Sequence, residues 1–125
     1  MYDRLVEFDL IETIKEHKGV VIGCSAGAMV QLSEYHITPD DDYAEFSYYS
    51  GIGLLNGLDI EVHFEETAEQ IECAGKALKE KNKPIYLMYH NGAVIVDNSA
   101  VRTVGQVKVL EVSNGGKADQ NDQKN

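Results

Sequence analysis

This chain has little of what metal and disulfide sites are made from. It holds only two cysteines, Cys24 and Cys73, with no C-x-x-C pair and no other metal-ligand spacing. A zinc site and a disulfide framework are therefore not expected, and two free thiols in a reducing compartment are. Basic residues are scarce: 11 Lys and Arg stand against 21 Asp and Glu, for a net charge of −10. Nucleic acid and anionic membrane surfaces are poor partners for such a chain. No apolar run approaches the roughly 20 residues of a membrane span. The opening Met1-Tyr2-Asp3-Arg4 leads into an acidic amphipathic stretch without the apolar core of a signal peptide, so a cytoplasmic location is expected. No internal repeat is present. What remains is 125 residues with a hydrophobic fraction of 43%, enough for one domain with a core, or for part of one.

The feature that stands out is Gly23-Cys24-Ser25-Ala26-Gly27. It matches the G-x-S-x-G pattern of a nucleophile elbow, in which a serine sits on a tight strand-to-helix turn. Gly19-Val20-Val21-Ile22 before it reads as a short buried strand, and residues 26–32 after it read as the start of a helix. Such a turn is strained. It lifts the Ser25 hydroxyl clear of the backbone and sets it beside the N–H groups of a helix N-terminus.

Apolar residues at Leu5, Val6, Leu10, Ile11 and Ile14 predict a helix over about residues 2–17, ended by Gly19. Residues 35–50 show no clean period and contain Asp40-Asp41-Asp42, so a loop is expected. Asp59 to Phe64 alternates and reads as a strand. Residues 65–82 read as a helix with Ala68, Ile71, Ala74, Ala77 and Leu78 on one face. Residues 84–90 read as a strand, and Asn91-Gly92 predicts a hairpin to a partner at 93–96. Another strand or hairpin is expected over 101–112, turning at Gly105. Residues 113–125 are almost wholly polar and read as a disordered tail. Strands alternating with helices argue for an α/β fold. The strand count is low for a doubly wound sheet, and only one side of the elbow strand is accounted for.

A serine hydroxyl needs a base to take its proton. The histidines are His17, His36, His63 and His90. His17 reads as the end of the first helix, His36 as the far end of the elbow helix, and His90 as a residue beside a turn. His63 lies near the C-terminal end of a predicted strand, where α/β active sites gather. An acid is needed to orient the base. Glu34, Asp40, Asp41, Asp42, Glu45, Asp59 and Glu61 all lie between Ser25 and His63, and spacing alone does not choose among them.

Gly23-Cys24-Ser25-Ala26-Gly27-Ala28 resembles the G-x-S-A-G-A elbow of the peptidase E family of serine peptidases (peptidase S51), which includes the cyanophycinases. Gly51-Ile52-Gly53-Leu54-Leu55 followed by Val62-His63-Phe64 is similar to the family's "G-L-G-L-L … H-F" segment. The likeness spans about residues 2–112. It implies a class I glutamine amidotransferase-like fold: three layers, a mostly parallel sheet with flanking helices, also described as flavodoxin-like. It implies Ser25 as nucleophile, His63 as base, Asp40 as acid with Asp41 as the near alternative, and the Ala26 N–H as an oxyanion-hole donor. Neither metal nor cofactor is implied, and the expected substrate is a short peptide.

Two departures qualify the resemblance. The family's aspartyl-dipeptidases hold an acidic substrate side chain with the arginine of an "E-T-R-E-Q" stretch. Here the stretch is Glu66-Thr67-Ala68-Glu69-Gln70, and Ala68 cannot pair with a carboxylate. Family members also carry an N-terminal segment, with strands and a "G-G-N" loop, that has no counterpart in this sequence. The expectations are therefore a working peptidase, an impaired truncated remnant, or one half of a split enzyme. In the last case the chain pairs with itself or with a separate N-terminal half through its open sheet edge.

Overall fold

The computed structural model describes residues 1–112 and 118–123. The fold is α/β, and it is organised around β3 (Asp59–Glu61), α4 (Ala68–Lys81), β4 (Ile85–Met88) and β7 (Val107–Val112). With β8 (Ala118–Gln123) these strands form a four-stranded sheet in the order β3-β4-β7-β8. Only β3 and β4 are parallel, joined through α4 as a right-sized crossover requires. The β4–β7 and β7–β8 pairs are antiparallel.

α4 begins with a capping box: the Thr67 hydroxyl accepts from the Gln70 N–H while the Gln70 side chain answers to the Thr67 N–H. It ends at Asn82 in the left-handed conformation. Ala74, Ala77 and Leu78 lie on one helical face and pack with Phe64, Ile85 and Leu87 in one buried cluster. Ile71 was expected on that face, but it is 52% exposed. β4 alternates between two cores: Ile85 and Leu87 enter the first cluster, while Tyr86 and Met88 pack on a second one of Leu32, Leu58 and Ile60. Ala28 and Met29 of α3 (Ala26–Met29) also pack on the second cluster.

The expected loop over 35–50 instead contains an antiparallel hairpin, β1 (Glu34–Ile37) with β2 (Ser47–Ser50). Its alternation is hidden because the inward position of β1 is a histidine rather than an apolar residue. The predicted Asn91-Gly92 hairpin is not formed. β4 pairs with β3 and β7, while β5 (Ala93–Asp97) folds back on β6 (Ala100–Val104) across a turn containing Asn98 at φ 57°. A central strand with two partners has no edge left for its sequence neighbour. Gly105 does turn the chain, at φ 74°, between β6 and β7. The tail expected to be disordered carries β8 at Ala118–Gln123; the rest of that expectation falls outside the described residues.

The N-terminal region differs most. The single predicted helix is two short ones, α1 (Tyr2–Glu7) and α2 (Ile11–Glu16), broken where Asp9 takes φ 56°. Residues 19–22 form no strand. Among the described residues no backbone hydrogen bond reaches Gly19 through Gly23, and Val20 and Ile22 are 83% and 89% exposed. A strand needs a paired neighbour, and none of the described residues lies alongside.

Candidate active site

Ser25 occupies the elbow with φ 57° and ψ −118°. This is a left-handed conformation that a side-chain-bearing residue adopts at a cost of order 1–3 kcal/mol. Gly23 is required by close approach: a Cβ there would meet the Gly27 carbonyl oxygen at 2.2 Å. Gly27 itself has open space around its Cβ position. The Ser25 carbonyl accepts from the N–H groups of Ala28 and Met29 at 3.0 and 3.1 Å. The Ala26 N–H has no acceptor among the described residues, and Ala26 is exposed. It is therefore free to donate to a ligand beside Ser25.

His63 follows β3 and also takes a left-handed backbone, φ 51°. Its Nε2 lies 3.0 Å from the Ser25 Oγ. With Nε2 unprotonated, the serine O–H donates to it, which is the orientation a general base needs. The next residue, Phe64, is buried, and its N–H donates to the Met88 carbonyl at 2.9 Å. The residue after His63 is thus tied into the core. The His90 ring lies 5.2 Å from the His63 ring, centroid to centroid.

Asp40 does not join them. Its Oδ1 accepts from the N–H groups of Asp42 and Tyr43 at 2.8 and 2.9 Å, folding the acidic loop onto itself. Among the described residues no hydrogen bond or ion pair links Asp40 or Asp41 to His63. A carboxylate satisfied by two adjacent backbone donors closes its own turn.

Sequence reasoning missed a second polar cluster. His36 is in β1, not on the elbow helix, and is buried. Its Nδ1 lies 2.7 Å from Asp59 Oδ2 and its Nε2 lies 2.7 Å from Glu61 Oε1. Thr38 Oγ1 donates to the same Glu61 oxygen at 2.7 Å. Burial works against the charged imidazole, but its hydrogen bonds to the two carboxylates outweigh it, and the pKa of His36 rises from 6.5 to about 9. At neutral pH the imidazolium donates from both nitrogens. The signal that could have found this cluster is the spacing of Asp59 and Glu61, which puts both carboxylates on one face of β3. A third polar group lies behind the loop after His63: Tyr89 Oη and Lys108 Nζ donate to Glu66 at 2.5 and 3.2 Å. These hydrogen bonds hold the Glu66 carboxyl below the usual range.

Among the described residues no group of three or more His, Cys, Asp or Glu side chains is arranged to hold a metal ion, and no helix there is long and apolar enough to cross a membrane. No curated protein matches the chain. The model of peptidase family S51 matches residues 1–104, a region that holds the Ser25 elbow and His63, and the chain belongs to that family.

Proposed function

We propose that the chain is a serine-type peptidase that cleaves short peptides in the cytoplasm, with Ser25 as nucleophile and His63 as base. The observation that carries this reading is the 3.0 Å approach of Ser25 Oγ to His63 Nε2, across 38 residues of sequence. His63 takes the hydroxyl proton as Ser25 Oγ attacks the scissile carbonyl. The Ala26 N–H donates to the oxyanion that forms. His63 then passes the proton to the leaving amine, and an ester on Ser25 remains. Water, deprotonated by His63, attacks that ester and releases the acid. Asp40, the acid the resemblance implies, enters this scheme only if the 38–46 loop moves to His63. Ala68 argues against a strong preference for an acidic residue before the cleaved bond. The fold this reading implies is three-layered with a mostly parallel sheet.

The test is labelling of the purified chain with a fluorophosphonate probe. Labelling should vanish in Ser25→Ala and in His63→Ala; persistence in Ser25→Ala refutes the mechanism. The exposure of Val20 and Ile22 favours a second reading, in which the chain is one half of an enzyme and reacts only once a further strand covers this segment. A folded chain that fails to label supports that reading. Robust labelling of a monomer removes it.

A further inference from the structure

His63 poses a positioning problem. It is exposed, its backbone is left-handed, and no carboxylate holds its ring among the described residues. Such a backbone persists only where its surroundings over-determine it. One anchor is the Phe64 N–H bond to the Met88 carbonyl of β4. The other is a side chain seven residues on. Gln70 Nε2 donates to the His63 carbonyl at 3.0 Å, and Gln70 Oε1 accepts from the Glu65 N–H at 2.9 Å and the Thr67 N–H at 3.4 Å. The Gln70 backbone is in turn fixed by the Thr67 hydroxyl at 3.1 Å. One carboxamide therefore spans the whole turn from the base to Thr67, the N-cap of α4, including Glu66 at φ 62°.

We propose that Gln70 is a positioning residue for His63: its carboxamide N–H holds the His63 carbonyl and so aims the imidazole at Ser25. This rests on the reading of His63 as base. A helix cap alone needs only the oxygen of residue 70. Glutamate serves as well as glutamine at that place in a capping box. The nitrogen is what reaches His63, and only an amide supplies both.

Gln70→Glu separates the two roles. It keeps an oxygen for the Glu65 and Thr67 N–H groups and turns the donor facing the His63 carbonyl into an acceptor. Gln70→Ala removes both. In Gln70→Glu the helical signal should match the unsubstituted protein, while fluorophosphonate labelling slows about tenfold or more, as a displaced base demands. A readout independent of turnover is the His63 Nε2 resonance in long-range 1H–15N spectra, recorded with and without Ser25→Ala. The resonance should move on Ser25→Ala in the parent protein and stay still in the Gln70→Glu background. Comparing the two backgrounds cancels the uniform effect of the added charge. An undiminished response in Gln70→Glu, or unchanged labelling, overturns the proposal and leaves the Ser25–His63 assignment standing. No response in the parent protein refutes the Ser25–His63 contact, and this inference with it.

Discussion

The two halves of the proposed machinery stand on unequal ground. His63 follows a strand whose three residues are all buried, and precedes Phe64, only 2% exposed in a cluster with α4 and β4. Ser25 follows 24 residues of which none is buried. One proposed catalytic group is thus held by a packed core and the other by a four-residue helix and a strained turn. The difference shows what an elbow requires. Its left-handed serine is an energetic cost that neighbouring structure must offset, and most of the packing available here lies on the His63 side.

The largest effect expected is loss of labelling in Ser25→Ala and His63→Ala, since groups that act as a unit fail together. The comparison itself breaks or holds on stability. Phe64→Ala should cost about 3–5 kcal/mol, as deletion of a buried aromatic does. Ile22→Ser, at an 89% exposed position, should stay within about 0.5 kcal/mol. Urea titrations of the two variants read this directly. A large loss in Ile22→Ser would mean that residues 19–23 are covered in solution, and the halves would then be equal after all.

A third effect sharpens the comparison from the packed side. His36 locks β1 to β3 through Asp59 and Glu61, beside the Phe46 ring at 6.0 Å. Its folded pKa of about 9 lies above the ordinary 6.5. The charged pairings therefore stabilise the fold fully below pH 6.5, and that contribution is lost as pH rises through about 9. The unfolding midpoint of the protein should fall over this window relative to that of His36→Gln. Parallel pH profiles for the two proteins would refute the assignment.

Legibility in the sequence followed the same division. The span from Asp59 to Met88 was readable because its periodicity and its burial agree at most positions. The pairing of Ser25 with His63 was legible as a juxtaposition because each sits in a motif with a defined backbone. Residues 35–50 misled because the polar His36 points into the core, satisfied by acids that look like surface residues until β3 is folded beside them. Residues 19–22 misled in the opposite sense. Three branched apolar residues signal a strand, but pairing depends on a neighbour that the local sequence does not contain. Gln70 was legible only as part of a motif; its amide nitrogen on the His63 carbonyl is a contact of the folded loop.

Asp40→Asn is the substitution for which the smallest effect is expected. An asparagine oxygen can still accept from the Asp42 and Tyr43 N–H groups, so the loop that Asp40 closes survives. If Ser25 and His63 work as a pair, the labelling rate should change by no more than about twofold, well below the 10⁴-fold loss that follows when an acid that fixes the base's tautomer is amidated. A fall of about a hundredfold or more, with melting unchanged, would show that the loop of Asp40 closes on His63 during reaction. A loop tied through β1 to the packed half would then supply the orienting acid, and the dependence of the site on the packed half would be correspondingly greater.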